Sequence, residues 1–412
     1  MKDLLTYPSK FLQLKVLLAL GVVALTLPAH AQQVLSLDSA LAGALRVSPA
    51  LRQSGAEQRE QEALRRGAFS LINPGVIVES PTGAFYTLGA QQTFEFPTVY
   101  TRQAQVGRAQ VTLAQRNQQI SRNTVQREVR LSYLALQIAE AQQRQLASQD
   151  SLLRTLAAAS ERLYNAGEVD YLQRVSTEAE SRQAANRLQQ ATADRRAAQA
   201  RLGLLLGQPT AELATGPDLM ALGTVVLPPT NAVAPPDSAQ LQANPQLAFA
   251  LQNIEVSRLN LRLARARALP GVVLGYQNQG ERDSPVRNRF QAGLSLPLYF
   301  WTYRSQVQAA DARLQASLAQ RAATTLEVSR EYQQALADVA KFEASVRYFQ
   351  QTGLPQSRTI VSTAQRLFRA GEVSYYLFVQ SVNQAFQIRT DYLDAVRGYQ
   401  EALIQLNFLR GQ

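Results

Sequence analysis

The chain has 412 residues, with 42 Lys+Arg against 31 Asp+Glu, one His, two Met and no Cys. His30 and Met1 both lie in the first 31 residues, so the rest of the chain offers no thiolate, no imidazole and a single thioether, Met220. Soft or borderline metal centres, cysteine nucleophiles, Ser-His-Asp triads and disulfides lack their ligands on that count, and we expect no enzyme, no cofactor and no metal site.

Lys2, Lys10 and Lys15 precede an apolar run from Val16 to Leu27, followed by Pro28-Ala29-His30-Ala31. A basic flank, a short apolar core and a small-x-small site predict a secretory signal over 1–31. A core of about 12 residues rises only about 18 Å, too short to cross about 30 Å of hydrocarbon. The positive excess after it is almost all Arg, scattered along helical stretches rather than blocked. That pattern reads as solvated helix faces, with no nucleic acid as partner.

The remainder is one unit written twice. Ser48-Pro49-Ala50-Leu51 matches Asn244-Pro245-Gln246-Leu247, and Asn73-Pro74-Gly75-Val76 matches Leu269-Pro270-Gly271-Val272. Phe94-Glu95-Phe96-Pro97 matches Leu294-Ser295-Leu296-Pro297. The run from Arg162 to Tyr171 matches that from Arg366 to Tyr375 at seven of ten positions. Ordered landmarks with slowly growing offsets predict a duplication, 32–207 and 237–412, joined by a Pro-rich equatorial segment at 208–236.

Each unit has the same predicted grammar. A helix of about 35 residues opens it, with Asp38 or Asp237 at the N-cap, and stops at Pro74 or Pro270. Two strands follow, 75–84 and 86–97 in the first copy (about 75–97 overall) and 271–281 and 287–297 in the second (about 271–297). Val272, Leu274, Tyr276 and Asn278, then Phe290, Ala292, Leu294 and Leu296, alternate with period two. Ser80-Pro81-Thr82-Gly83 and Asp283-Ser284-Pro285 supply the turns. A helical hairpin then spans 98–207 or 302–410. Val99, Val106, Leu113 and Ile120 recur every seven residues. Val328, Tyr332, Ala335, Val339, Phe342, Val346 and Phe349 follow a coiled-coil 4,3 spacing. A bend is expected at Gly353-Leu354-Pro355. The Ala-Gly-Glu-Val element in each copy marks the hairpin turn.

Four strands of membrane length are too few to close a barrel, and an open edge in lipid leaves backbone groups unpaired. Several chains must therefore share one barrel if the strands enter a membrane. A lone helical hairpin about 100 Å long likewise needs copies of itself to bury its seams, and the Ala- and Gln-rich stretch from Ala104 to Gln119 suits close helix approach. The predicted fold is mainly α with a small β part, a ring of helices continuous with a ring of strands.

The duplicated unit, the signal and the paired turns resemble the TolC-like outer membrane factors, the outer membrane efflux protein family. The stretch from Gln92 to Tyr100 is similar to its heavy-metal-efflux branch. The resemblance implies a homotrimer, a trimeric α-barrel continuous with a shared 12-stranded transmembrane β-barrel, in the outer membrane of a Gram-negative bacterium, reaching into the periplasm and meeting outer membrane lipid. It implies a passive exit duct for heavy-metal cations or drugs, docking a periplasmic adaptor and an inner-membrane transporter of the resistance-nodulation-division type. It assigns adaptor docking to Ala166, Gly167, Glu168 and Val169 and to Ala370, Gly371, Glu372 and Val373. Where some members carry acids lining the periplasmic entrance, this chain has Gln173 and Ser176, then Leu377 and Gln380, with Asp170 the nearest acid before them. Asp170, Gln173, Leu377 and Gln380 are the candidate entrance residues. No nucleotide-binding signature occurs, so the energy must come from a partner. The alternatives are a periplasmic coiled-coil adaptor or scaffold, and an outer-membrane duct for type I protein secretion.

Overall fold

The structure is a computed structural model and describes residues 33–67, 70–80, 87–209, 212–216, 243–279 and 288–412. The segment read as a signal, Asp237 and the two strand-connecting turns beyond Ser80 lie outside the described residues.

The chain is mainly helical with a small sheet. It runs β1 (Gln33–Leu35), α1 (Leu37–Val47), α2 (Pro49–Arg66), β2 (Gly75–Glu79), β3 (Thr87–Phe94), α3 (Pro97–Asn165), α4 (Tyr171–Leu205) and β4 (Leu213–Thr215). The second half continues with α5 (Pro245–Arg267), β5 (Gly271–Gln279), β6 (Asn288–Ser295), α6 (Phe300–Tyr348), a π-helical turn (Phe349–Gly353), α7 (Leu354–Arg369) and α8 (Tyr375–Leu409).

The opening helix differs from the sequence expectation. Ser36, not Asp38, is the N-cap, and its side chain accepts from the Ser39 N–H; Asp38 sits in the first turn, where its charge favours the helix dipole. The helix then breaks at Ser48. Pro49 has no N–H and pushes the residue before it out of helical geometry, and Ser48 (ψ 121) caps α2 instead. The helix ends at Arg66 rather than Pro74; in the second copy Asn244 caps α5, which ends at Arg267 rather than Pro270.

The predicted bend at Gly353 is a widened turn. The Leu354 N–H bonds to the Phe349 carbonyl, one residue beyond the α-helical partner, just before Pro355, which has no N–H to give. The offset between copies grows from 200 at Pro97/Pro297 to 204 at Arg162/Arg366, so the outgoing helix of the second copy holds the extra residues.

Strand order is β2-β3-β5-β6, all antiparallel, leaving β2 and β6 as edges. The helices joined to these strands lie side by side in the same order, α2 on α3, α3 on α5 and α5 on α6. Farther from the sheet the row becomes α4, α3, α8 and then α6 with α7. Val99, Val106 and Ala109 pack on Val256, Leu259 and Leu263 in the first row. Leu134, Ile138, Val339, Val346, Tyr392, Val396 and Tyr399 form the largest cluster in the second. Of the predicted seam, Val328, Tyr332, Ala335, Val339 and Val346 are buried, while Phe342 and Phe349 are partly covered.

Glutamines join α3 to α8. Gln145 Nε2 donates to the Phe386 carbonyl (3.0 Å) and Thr390 Oγ1 (2.9 Å), and Gln149 Nε2 to Asn383 Oδ1 (3.1 Å). At mid-height β1 and β4 form a parallel pair that the sequence did not suggest, since three residues carry no periodicity. Buried Glu140 of α3 holds β4 by accepting from Thr215 N–H (3.3 Å) and Oγ1 (2.5 Å).

Candidate functional site

Two regions of the described chain are finished chemically but not covered: the sheet and the helix-hairpin tips. In the sheet, directly opposed residues of antiparallel strands point to one face. Val76, Val78, Leu88, Ala90, Phe94, Val272, Leu274, Tyr276, Phe290, Ala292 and Leu294 share a face by register, with Gln92 and the pair Asn278/Asn288 its polar members. That face is bare: Val76 is 76% exposed, Phe290 85% and Leu294 70%. The opposite face carries Gly75, Ile77, Glu79, Thr87, Gly89, Gln91, Thr93, Gly271, Val273, Gly275, Gln277, Arg289, Gln291, Gly293 and Ser295. At the helix end of the sheet, Leu298, Tyr299, Phe300 and Trp301 are also exposed. The Trp301 ring stacks edgewise on Tyr299 and Phe300 at 5.4 and 5.3 Å. Among the described residues no helix is long and apolar enough to cross a membrane.

Both tips use one backbone device. Gly167 (φ 76) and Gly371 (φ 74) take the left-handed conformation that a side chain resists. The Gly167 N–H bonds to the Tyr164 carbonyl and the Glu168 N–H to the Leu163 carbonyl, both 2.9 Å. Gly371 to Phe368 (3.1 Å) and Glu372 to Leu367 (3.0 Å) repeat the pattern, a Schellman closure of each outgoing helix. The returning helices are capped by Asp170, whose Oδ1 accepts from Gln173 N–H (2.7 Å), and by Ser374, whose Oγ accepts from Leu377 N–H (3.3 Å).

The structure gathers Ala166, Gly167, Glu168, Val169, Asp170 and Gln173 at the first tip, and Ala370, Gly371, Glu372, Val373 and Leu377 at the second, with Gln380 one turn farther along α8. Both glutamates, both alanines and both glycines are exposed. Val169 and Val373 are half-buried rather than bare. Val373 and Leu377 line an apolar groove of about 320 Å³ with Ile360, Thr363, Leu367 and Phe378.

The side chains behind the turns differ between copies. Arg174 lies over both Tyr164 and Tyr171, its guanidinium carbon 5.2 Å from each ring centroid. The residues equivalent to Tyr164 and Arg174 at offset 204 are Phe368 and Phe378, which stack 4.7 Å apart. The first tip is thus closed by a cation–π clamp and the second by an apolar stack. Burial, then the nearby Glu180 carboxylate, pushes the Tyr375 hydroxyl up to about 12. Sequence reasoning passed over Arg174, Phe368 and Phe378. The signal for them was there, since aligning the copies past the Ala-Gly-Glu-Val element sets arginine against phenylalanine.

Residues 238–412 match the family described as outer membrane efflux protein. No curated protein sequence matches the chain. The fold is similar to the solved structure of CusC, a study of folding and transmembrane channel formation, with TM-score 0.76 and 18% identity over 91% of each chain. It is also similar to the Campylobacter jejuni CmeC outer membrane channel (TM-score 0.76, 13% identity, 91% of this chain and 85% of that one). The open state of the Neisseria gonorrhoeae MtrE outer membrane channel gives TM-score 0.72 and 17% identity over 91% and 88%. At such identities the likeness is one of fold. The family match covers the second repeat, the first repeat is built to the same plan, and the chain shares the fold of these solved outer membrane channels.

Proposed function

We propose that three copies of this chain form a passive duct through the outer membrane and the periplasm, the exit component of a tripartite efflux system. The observation that carries the reading is the sheet: four strands, two open edges, one bare and mostly apolar face and one face mostly of amides, glycines and hydroxyls. An open edge is costly in lipid, so the edges must meet other strands, and β6 of one chain beside β2 of the next closes a ring. Three chains give the twelve-stranded barrel, with apolar side chains toward lipid and polar ones toward water. The helix row has the same order as the strands and the same two open sides, so the closure that completes the barrel also completes a helical tube below it. Tyr299, Phe300 and Trp301 suit the membrane–water boundary at the periplasmic end.

The tips are the surface for a periplasmic adaptor, and an inner-membrane transporter of the resistance-nodulation-division type supplies the energy. Asp170, Gln173, Leu377 and Gln380 lie at the periplasmic entrance. Heavy-metal cations or drugs are the cargo class.

Native mass spectrometry of detergent-extracted outer-membrane protein tests the assembly. A trimer of the processed chain is expected; a monomer, or protein recovered only from the soluble periplasm, removes the duct. The docking assignment has its own test. A Cβ at Gly371 meets nothing within 4 Å, so Gly371→Val strains only the backbone, by about 1–2 kcal/mol. The variant is expected to form trimers yet lose most capture of its adaptor in pull-down. Undiminished capture means that the tips are not the docking surface.

A further inference from the structure

The water-facing side of the sheet has an ordered pattern across the strands. In one row Gly75, Gln91, Gly275 and Gln291 are directly opposed, glutamine alternating with glycine. In the next row toward the strand-connecting turns, Ile77, Gly89, Gln277 and Arg289 are opposed. The glycines make room for the amides. A Cβ on Gly89 would stand 2.8 Å from Cγ of Gln277, and one on Gly275 would stand 3.5 Å from Cβ and 3.6 Å from Oε1 of Gln291. These glutamines therefore lie down across the neighbouring strand instead of projecting from the wall. Charge is almost missing from this face. Among its described residues Glu79 and Arg289 are the charged ones, of opposite sign, both toward the turn end of the strands.

We propose that Gln91 and Gln291, alternating with Gly75 and Gly275 in one row, form a neutral amide belt around the transmembrane part of the duct. This rests on the barrel reading above. A neutral belt carries donors and acceptors but no fixed charge, so it passes cations and anions alike and leaves charge selection to the helical part of the tube. The glycines also set the width: a side chain at Gly89 would displace Gln277 toward the path, while Gly275 leaves the Gln291 amide in contact with the strand.

The absence of cysteine makes the belt testable in the full-length assembly, because one introduced thiol is the only one. Gln91→Cys and Ala90→Cys, neighbours on opposite faces, are each treated with a cationic and an anionic methanethiosulfonate in outer-membrane vesicles. Gln91→Cys is expected to react with both, at rates within about threefold of each other once scaled to a free thiol, since a charged wall would set up potentials of several kT. Ala90→Cys is expected to resist both and to react only with a lipid-soluble maleimide. A preference of about tenfold or more for either charge at an accessible Gln91→Cys overturns the neutral belt and leaves the barrel standing. Equal reaction of Ala90→Cys with both charged reagents overturns the barrel itself. Where Gln91→Cys does not assemble, Gln291→Cys, at the far end of the same row, gives the same readings.

Discussion

Leu274→Arg is expected to remove most of the heat-resistant oligomer from the outer-membrane fraction, while Val273→Arg, one residue away, leaves it in place. Leu274 is mid-strand in β5, half exposed, and directly opposed by Ala292 on one side and Gln92 on the other. In a closed barrel its side chain meets hydrocarbon, where an arginine at mid-depth costs about 2–4 kcal/mol. Val273 points the other way, between Thr93 and Gly293, where a guanidinium has water and room. The contrast between adjacent positions separates membrane insertion from generic damage. If both variants assemble equally well, the bare apolar face does not meet lipid. If Val273→Arg alone is lost, the faces are assigned the wrong way round.

Gly398→Val is expected to lower the unfolding midpoint of the detergent-solubilised protein clearly, although replacing a mid-helix glycine usually helps a helix. Gly398 lies in α8 where it passes α6, and a Cβ there would stand 2.5 Å from two carbons of the Phe342 ring. The ring uses the space that glycine leaves. Overpacking of this kind costs about 1–3 kcal/mol, more than the local gain. Phe342→Ala alone should also destabilise, by leaving a gap beside the cluster that contains Val339, Val346 and Tyr399. The double variant should recover part of the loss, because the valine then fills the space of the ring. That coupling is the signature of contact. Additive losses, or a rise in midpoint for Gly398→Val, would mean that the two helices do not approach this closely.

The mainly helical plan with a small sheet was legible because it is carried by periodicity. The 4,3 spacing from Val328 to Phe349 names a buried seam, and the alternation from Val272 to Asn278 names one face of a strand. Both signals survive without knowledge of partners. Local capping was less legible, since Ser36 and Asp38 are each competent N-caps and the choice depends on where the chain enters the helix. The β1–β4 pair was out of reach. It depends on Glu140 and Tyr133, about a hundred residues from Leu35, and Tyr133 Oη donates to the Leu35 carbonyl at 2.9 Å. The tips were legible in their backbone and not in their chemistry. Glycine at a reversal is a strong local sign, whereas the Tyr164–Arg174–Tyr171 clamp depends on how two helices face each other.

The unlike backing of the two tips bears on stoichiometry. In the proposed trimer six hairpin ends would surround one rim, of two kinds in alternation, one closed by arginine between tyrosines and one by stacked phenylalanines beside an apolar groove. Such a rim would be threefold and not sixfold. Six identical partner chains could not all sit on it in the same way, and would divide into two sets with different contacts and different off-rates. Three partners, or three dimers, would each meet one tip of either kind. Counting partners per trimer, and counting the distinct dissociation phases, would then give the same answer twice.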